Sequence, residues 1–353
     1  MQQDQKHYRF AVLADIHIDL ENGGENTYFI HAQKNFANAL KIIKKSGCAF
    51  IVSAGDQVTN ASGAEKEWQK YREIIDCSGY RGQIFEAMGN HETRFAKYGG
   101  CTVDECRKEF IRYARLDKKP ILRQKDKTYY VYLDDTFDDA FLFLSLENGV
   151  DTPLIDNFSD EQMDWAEEMA ERFTREGRRI FLIQHAPIYG FGAGDDNHEP
   201  AYRGSIRLKD TGGKSFRNNR RFFDLICRYK DMIWLSGHTH VDLRDNVNYQ
   251  KADSRACHML HIPALSGSTR LSRDKAGRRA LDRAFYGDAA QGYLADVYED
   301  KVVFKGIDFL HDRQYTEYIY TVYNKYHTGK AGGFITALKG HSTSTPLKRY
   351  RRS

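Results

Sequence analysis

Seven side chains that bind metals well are spread over five short segments of this 353-residue chain. They are Asp15 and His17 in Asp15-Ile16-His17, Asp56 in Gly55-Asp56, Asn90 in Gly89-Asn90-His91, His185 in Gln184-His185-Ala186-Pro187, and His238 and His240 in Gly237-His238-Thr239-His240. Imidazole suits zinc, iron, manganese or nickel, while carboxylate and carbonyl oxygens suit manganese and magnesium. No cysteine falls among them, which argues against a structural zinc site of thiolate type. The donors outnumber what one tetrahedral ion takes. Two ions sharing a carboxylate would use them all, and such pairs, about 3.5–4 Å apart, clamp the attacking and leaving oxygens of a displacement at phosphorus.

Each segment follows an apolar run, at residues 10–14, 49–54, 83–88, 179–183 and 231–235. These runs read as buried strands, and open α/β sheets place their sites where strands end at the carboxyl edge. Helices are expected between them. Residues 35–45 put Phe36, Leu40 and Ile43 on one face, residues 68–76 form a second helix, and residues 159–176 form a third, with Ser159 and Gln162 at capping-box spacing. Any one segment alone has an ordinary explanation: Gly-Asp is common in turns, and a histidine at a strand end can simply be packed. All five in order, each after a strand, are hard to explain by packing.

In this order Asp-x-His, Gly-Asp, Gly-Asn-His-Glu, a single His after a strand and Gly-His-x-His resemble the calcineurin-like metallophosphoesterase superfamily, over about residues 10–240. The resemblance implies an α/β fold, a four-layer α-β-β-α sandwich of two mixed sheets flanked by helices. The β-rich runs at 259–262, 293–298 and 302–307 resemble its second sheet. It implies a first metal on Asp15, His17 and His240, a second on Asn90, His185 and His238, and Asp56 bridging the two. The ions would be divalent manganese, iron or zinc. It further implies hydrolysis of phosphomonoesters or phosphodiesters, with a metal-bridging hydroxide as nucleophile and His91 as general acid, a role that suits the near-neutral pKa of histidine. Two departures narrow the field. Asp56 is followed by Gln57-Val58-Thr59-Asn60 rather than the Asp-Arg-Gly sequel of phosphoprotein Ser/Thr phosphatases, which leaves the group that orients His91 open, with Asn60 a candidate by analogy. None of the residues Gln57 to Asn60 directly after Asp56 is a tyrosine that could complete the chromophoric iron centre of purple acid phosphatases.

The expected organisation is a phosphoesterase domain over residues 1–310 and a C-terminal extension over 311–353. That extension packs tyrosines between Tyr315 and Tyr326 and ends in Lys348, Arg349, Arg351 and Arg352. It reads as an extra strand or helix on the core followed by a solvated tail, although aromatics interleaved with positive charge also suit nucleic acid. A phosphorylated small molecule is the expected substrate. A DNA or RNA nuclease is the alternative, for which a net charge of +4 is modest. A non-catalytic scaffold ranks last, because neither the seven donors nor His91 has been lost. Tyr189, His198, Tyr202 and Arg203 in the long segment 188–219, with Arg94 and Tyr98, are the candidates to touch substrate. His7, His31, His258, His261, His311, His327 and His341 read as surface or packing residues. Cys101 and Cys106 flank a turn-to-helix segment and could pair, with scattered reduced thiols the expected state. No apolar stretch approaches the roughly 20 residues a membrane helix needs. The polar opening, residues 1–7, favours a cytoplasmic protein; a secreted or periplasmic one, its signal peptide trimmed, would begin the same way.

Overall fold

The structure is a computed structural model that describes residues 8–20, 29–59, 64–93, 101–134, 138–148, 156–195, 205–210, 212–273, 279–282 and 286–323. Two mixed sheets face each other. The first joins Tyr8–Leu13 (β1), Phe50–Ser53 (β2) and Gln83–Glu86 (β3) in parallel. The second contains Ile121–Leu122 (β4), Tyr130–Asp134 (β5), Asp139–Phe143 (β6), Arg179–Ile183 (β7), Ile233–Ser236 (β8), Tyr249–Gln250 (β9) and His258–His261 (β10), in the order β4-β5-β6-β7-β8-β10-β9. Its β6, β7, β8 and β10 run parallel. Arg270–Arg273 (β11) and Arg279–Asp282 (β12) make a separate hairpin. Gln291–Val297 (β13), Lys301–Asp308 (β14) and Arg313–Tyr323 (β15) return antiparallel to the free edge of β1.

That return corrects one expectation. The runs at 293–298 and 302–307 belong to the first sheet, and only the run at 259–262, as β10, belongs to the second. The reason is long-range. β1 has β2 on one side only, so its other edge must be paired, and β13 supplies that ladder from Tyr8↔Val297 to Val12↔Tyr293.

The pleat explains the layers. On β6, β7 and β8 the residues Phe141, Phe143, Phe181, Ile183, Ile233 and Leu235 face the first sheet, while Leu142, Leu182 and Trp234 face outward. The seam between the sheets is aromatic and meets edge to face. Phe10 lies 5.4 Å from Phe141 at 90° and 5.5 Å from Phe181 at 85°, and Phe50 lies 5.3 Å from Phe141 at 89°. Tyr8 adds a polar pin, donating its hydroxyl to Asp139 Oδ2 at 2.5 Å, and Arg179 lies 3.2 Å from the other Asp139 oxygen.

Helices cover both outer faces. Ala32–Lys45 (α1) and Ala64–Ser78 (α2) meet through Phe36 stacked on Tyr71 at 5.1 Å, and the Tyr71 hydroxyl donates to Glu86 on β3. Val103–Tyr113 (α3) packs on α2 through Phe110 and Trp68. On the second sheet, Asp160–Arg175 (α4) buries Met163, Ala166, Ala170 and Phe173, and Arg217–Arg228 (α5) buries Phe222, Leu225 and Ile226. Ser159 caps α4 by accepting from the Gln162 amide, but the capping box is only half formed. The Gln162 side chain turns inward to Ser145 and Glu147 instead. No helix among the described residues is long and apolar enough to cross a membrane.

Candidate dinuclear metal centre

The motif segments prolong the strands they follow. Beyond β1 and β2, the amides of Asp15, His17 and Ile18 donate to the carbonyls of Gly55, Asp56 and Gln57 at 2.9–3.0 Å. Beyond β7 and β8, the Gly237 amide donates to His185 O at 2.7 Å. Bonds across the seam then fix one sheet's loops on the other: the His238 amide donates to Asp15, and one His185 ring nitrogen lies 2.9 Å from Ala54 O. The cost is backbone strain. Asp15, His17, Asp56, His238 and His240 all have positive φ, from 49° to 74°, a region that side chains with a Cβ rarely adopt.

Two glycines leave room for this convergence. A Cβ at Gly89 would lie 2.2 Å from Asp56 Oδ1, and one at Gly55 would lie 2.6 Å from His185 Nδ1. Both glycines let backbone pass directly behind a donor side chain.

The donor atoms meet at a telling distance. His17 Nε2 and His240 Nε2 are 3.1 Å apart, His240 Nε2 and Asp15 Oδ1 3.0 Å, His185 Nε2 and Asp56 Oδ2 3.0 Å, and His238 Nδ1 and Asn90 Oδ1 3.0 Å. Two donors at right angles on one ion, each about 2.1 Å from it, stand about 3.0 Å apart. Asp15, His17 and His240 form one group, and Asp56, His185 and His238 another, each with its ligand atoms within 4.8 Å of one another. Asp56 Oδ2 reaches both groups, 3.7 Å from His17 Nε2 and 3.0 Å from His185 Nε2. The donor set and its spacings fit two ions.

The electrostatics agree. Burial opposes ionisation of Asp15 and Asp56, yet the surrounding imidazoles hold both carboxyls well below the usual range. Burial likewise opposes a charge on His185, but Asp56 and Asp15 raise it to about 9. Burial and then His185 lower His238 to about 4. Two buried carboxylates this close to imidazoles favour positive charge beside them, from a protonated histidine or a bound cation.

His91 stands at the rim. Its side chain is 12% exposed and that of His240 15%, whereas those of Asp15, His17, Asp56 and His185 are sealed. Nδ1 lies 2.9 Å from Thr59 O, which fixes its proton there and turns Nε2 towards Asp56 Oδ2, 4.0 Å away. The carbonyl of Thr59 orients this ring. Asn60 lies outside the described residues, as do Arg94, Tyr98, His198, Tyr202 and Arg203. Tyr189 is described, and its ring carries the Arg207 guanidinium at 4.4 Å.

Several contributing residues escaped the sequence reading. Glu92 is buried and accepts from the amides of Gly89 (2.6 Å), Gln57 (2.7 Å) and Asp56 (3.1 Å), tying two motif loops together. Burial and then the charge of Asp56 push it up to about 8. Glu92→Ala would leave those buried amides without this acceptor, at about 1–3 kcal/mol each. A lower melting temperature and a higher metal concentration for half occupancy are expected; calorimetry and a metal titration check this, and wild-type values in both would exclude the bracing role. Phe29 stacks on the His17 ring at 4.3 Å and 20°, and Tyr286 stands 6.3 Å from both Phe29 and His240. His261, read as packing, is buried behind the centre. It bonds Thr239 at 2.7 Å and thereby steadies the residue between His238 and His240.

The calcineurin-like phosphoesterase family model matches residues 8–242, from the start of β1 to just past His240. The chain belongs to this family. As a calcineurin-like phosphoesterase it is a metal-dependent enzyme of phosphoester hydrolysis. Among solved structures, a dimetal phosphatase from Danio rerio aligns over 91% of this phosphoesterase and 100% of its own chain, at 12% identity and a TM-score of 0.56. A purple acid phosphatase from yellow lupin (Lupinus luteus) seeds aligns over 92% of this chain and 55% of its own, at 14% identity and a TM-score of 0.59. At such identities the likeness is one of fold. No curated protein sequence matches the phosphoesterase.

Proposed function

We propose that this phosphoesterase hydrolyses phosphorylated small molecules, monoesters or diesters, at a centre of two divalent ions of manganese, iron or zinc. In this reading Asp15, His17 and His240 hold one ion, Asn90, His185 and His238 the other, and Asp56 bridges them. The observation that carries it is the position of Asp56 Oδ2, within 3.0–3.7 Å of imidazoles from both groups.

Bound there, two such ions supply Lewis acidity for phosphate oxygens and bring the pKa of a water close to neutrality. The chain does the rest. The carbonyls of Ala54 and Thr59 hold the Nδ1 protons of His185 and His91, leaving each Nε2 to face the centre. His91, when protonated at Nε2, donates to the departing oxygen as general acid. Phe29 covers one face of His17 and keeps water from it.

The test uses protein stripped of metal and reloaded with manganese, assayed on p-nitrophenyl phosphate, bis-p-nitrophenyl phosphate and single-stranded DNA. Manganese-dependent turnover is expected, greatest on one of the small esters. Turnover that survives stripping unchanged would refute the metal requirement, and a preference for DNA would favour the nuclease. Reloading should also raise the melting temperature, since an ion at a hundred times its Kd stabilises the folded chain by about 2.7 kcal/mol.

A further inference from the structure

We propose that Cys101 and Cys106 form a thiol–disulfide pair that fastens the first turn of α3. Their sulfurs lie 2.9 Å apart. Non-bonded heavy atoms rest at about 3.5–4.0 Å, so these two already crowd each other. Closing to a bond of about 2.05 Å requires a further movement of only about 0.9 Å.

The approach is built into the helix start. Thr102 is the N-cap of α3, and it forms a complete capping box with Glu105: the Glu105 amide donates to Thr102 Oγ1, and the Thr102 amide donates to Glu105 Oε2 at 2.7 Å. Cys101 therefore sits one residue before the cap and Cys106 at the fourth helical position. Those are the places where a pair of apolar side chains staples the entering chain to the helix. Here both halves of the staple are cysteines. The backbone geometry that satisfies the cap brings the two sulfurs together without help from distant parts of the fold. α3 also packs on the short turn His91–Thr93, the segment that carries His91 and Glu92.

The two thiols differ in access. Cys101 is partly exposed and Cys106 is buried, so Cys101 meets an oxidant first and Cys106 resolves the product. With a disulfide oxidant such as oxidised glutathione, the Cys101 thiolate attacks one sulfur and expels one glutathione thiolate, giving a mixed disulfide. Cys106 then gives up its proton and attacks Cys101 Sγ, expelling the second glutathione. Two protein thiols are oxidised by two electrons, and the oxidant leaves as two thiols. Cys77 is exposed and provides an internal comparison, while burial pushes the Cys257 thiol up to about 12 and keeps it from reacting.

The experiment treats the full-length, manganese-loaded protein with excess oxidised glutathione, alkylates the remaining thiols and maps tryptic peptides. Cleavage after Lys97 and Arg107 releases one peptide, residues 98–107, that contains both cysteines and no others. The expected result is that peptide about 2 Da lighter than its reduced form and free of glutathione, while Cys77 retains its adduct. Amide exchange in the first turn of α3 should slow in the oxidised protein. In Cys106→Ser, Cys101 should retain glutathione as Cys77 does. Peptide 98–107 recovered from the wild-type protein with glutathione still on Cys101, or fully alkylated while Cys77 has reacted, would overturn the proposal. The wild-type map decides even if the serine variant folds poorly.

Discussion

Asp56→Asn is expected to lower kcat/KM on p-nitrophenyl phosphate by more than about a thousandfold. Loss of a mere supporting partner of a metal ligand costs about 10–100-fold in affinity or activity. Asp56 supports both donor groups at once, through an oxygen 3.0 Å from His185 and 3.7 Å from His17. Asparagine keeps the shape but offers a neutral oxygen, so the cage loses one of its two carboxylates. Bound metal, measured by elemental analysis after dialysis, should fall from two ions per chain to one or none. The fold should survive, because the backbone amide of Asp56 still bonds Glu92. Two ions retained with near-normal turnover would remove Asp56 from the bridging position.

His91→Asn tests a different part of the centre and should leave its metal content alone. The bond from the His91 amide to Asp56 Oδ1 is made by backbone and persists in the variant. What disappears is the Nε2 proton that the proposed mechanism delivers to the leaving oxygen, and general-acid catalysis contributes about 10²–10⁴-fold where the leaving group needs it. An alkyl phosphate, with a basic leaving oxygen, should lose that full amount. p-Nitrophenyl phosphate, whose phenolate departs readily, should lose much less. The informative quantity is the ratio of the two losses. Equal losses on both substrates would assign His91 to binding rather than to proton transfer.

Much of this centre was legible because buried parallel strands read as apolar runs and their ends as changes of chemistry. Arg179–Ile183 is bounded as the sequence suggested, and the strand before Asp15 begins two residues earlier than its apolar run. Pairing was not legible. Nothing local in residues 291–308 says that they return to β1 rather than join the second sheet, since that choice is made by an open edge far away in sequence. The Thr59 carbonyl beside His91 was equally hidden, because a backbone carbonyl has no side-chain identity to recognise. Glu92 stood in plain sight within Gly-Asn-His-Glu, but its role exists only once Gly89, Gln57 and Asp56 have been folded around it. Phe29 and Tyr286 carry no pattern at all. The helix α3 did leave a local signal, Thr102 followed three residues later by Glu105, and its register makes neighbours of Cys101 and Cys106.

The polar pin of Tyr8, Asp139 and Arg179 lies where β1, β6 and β7 begin, and the donor residues lie where β1 and β7 end, roughly 20 Å along β1 at the usual rise per residue. Asp15, His17, Asp56 and Asn90 ride on the first sheet, and His185, His238 and His240 on the second. The two sheets are thus tied by the polar pin where these strands begin, by the aromatic seam along their length, and by bonds between their loops at the donor end. Each donor group takes members from both sheets. Close-packed interiors transmit strain, so the spacing of the donors is tied to the packing of seam residues that stand far from them.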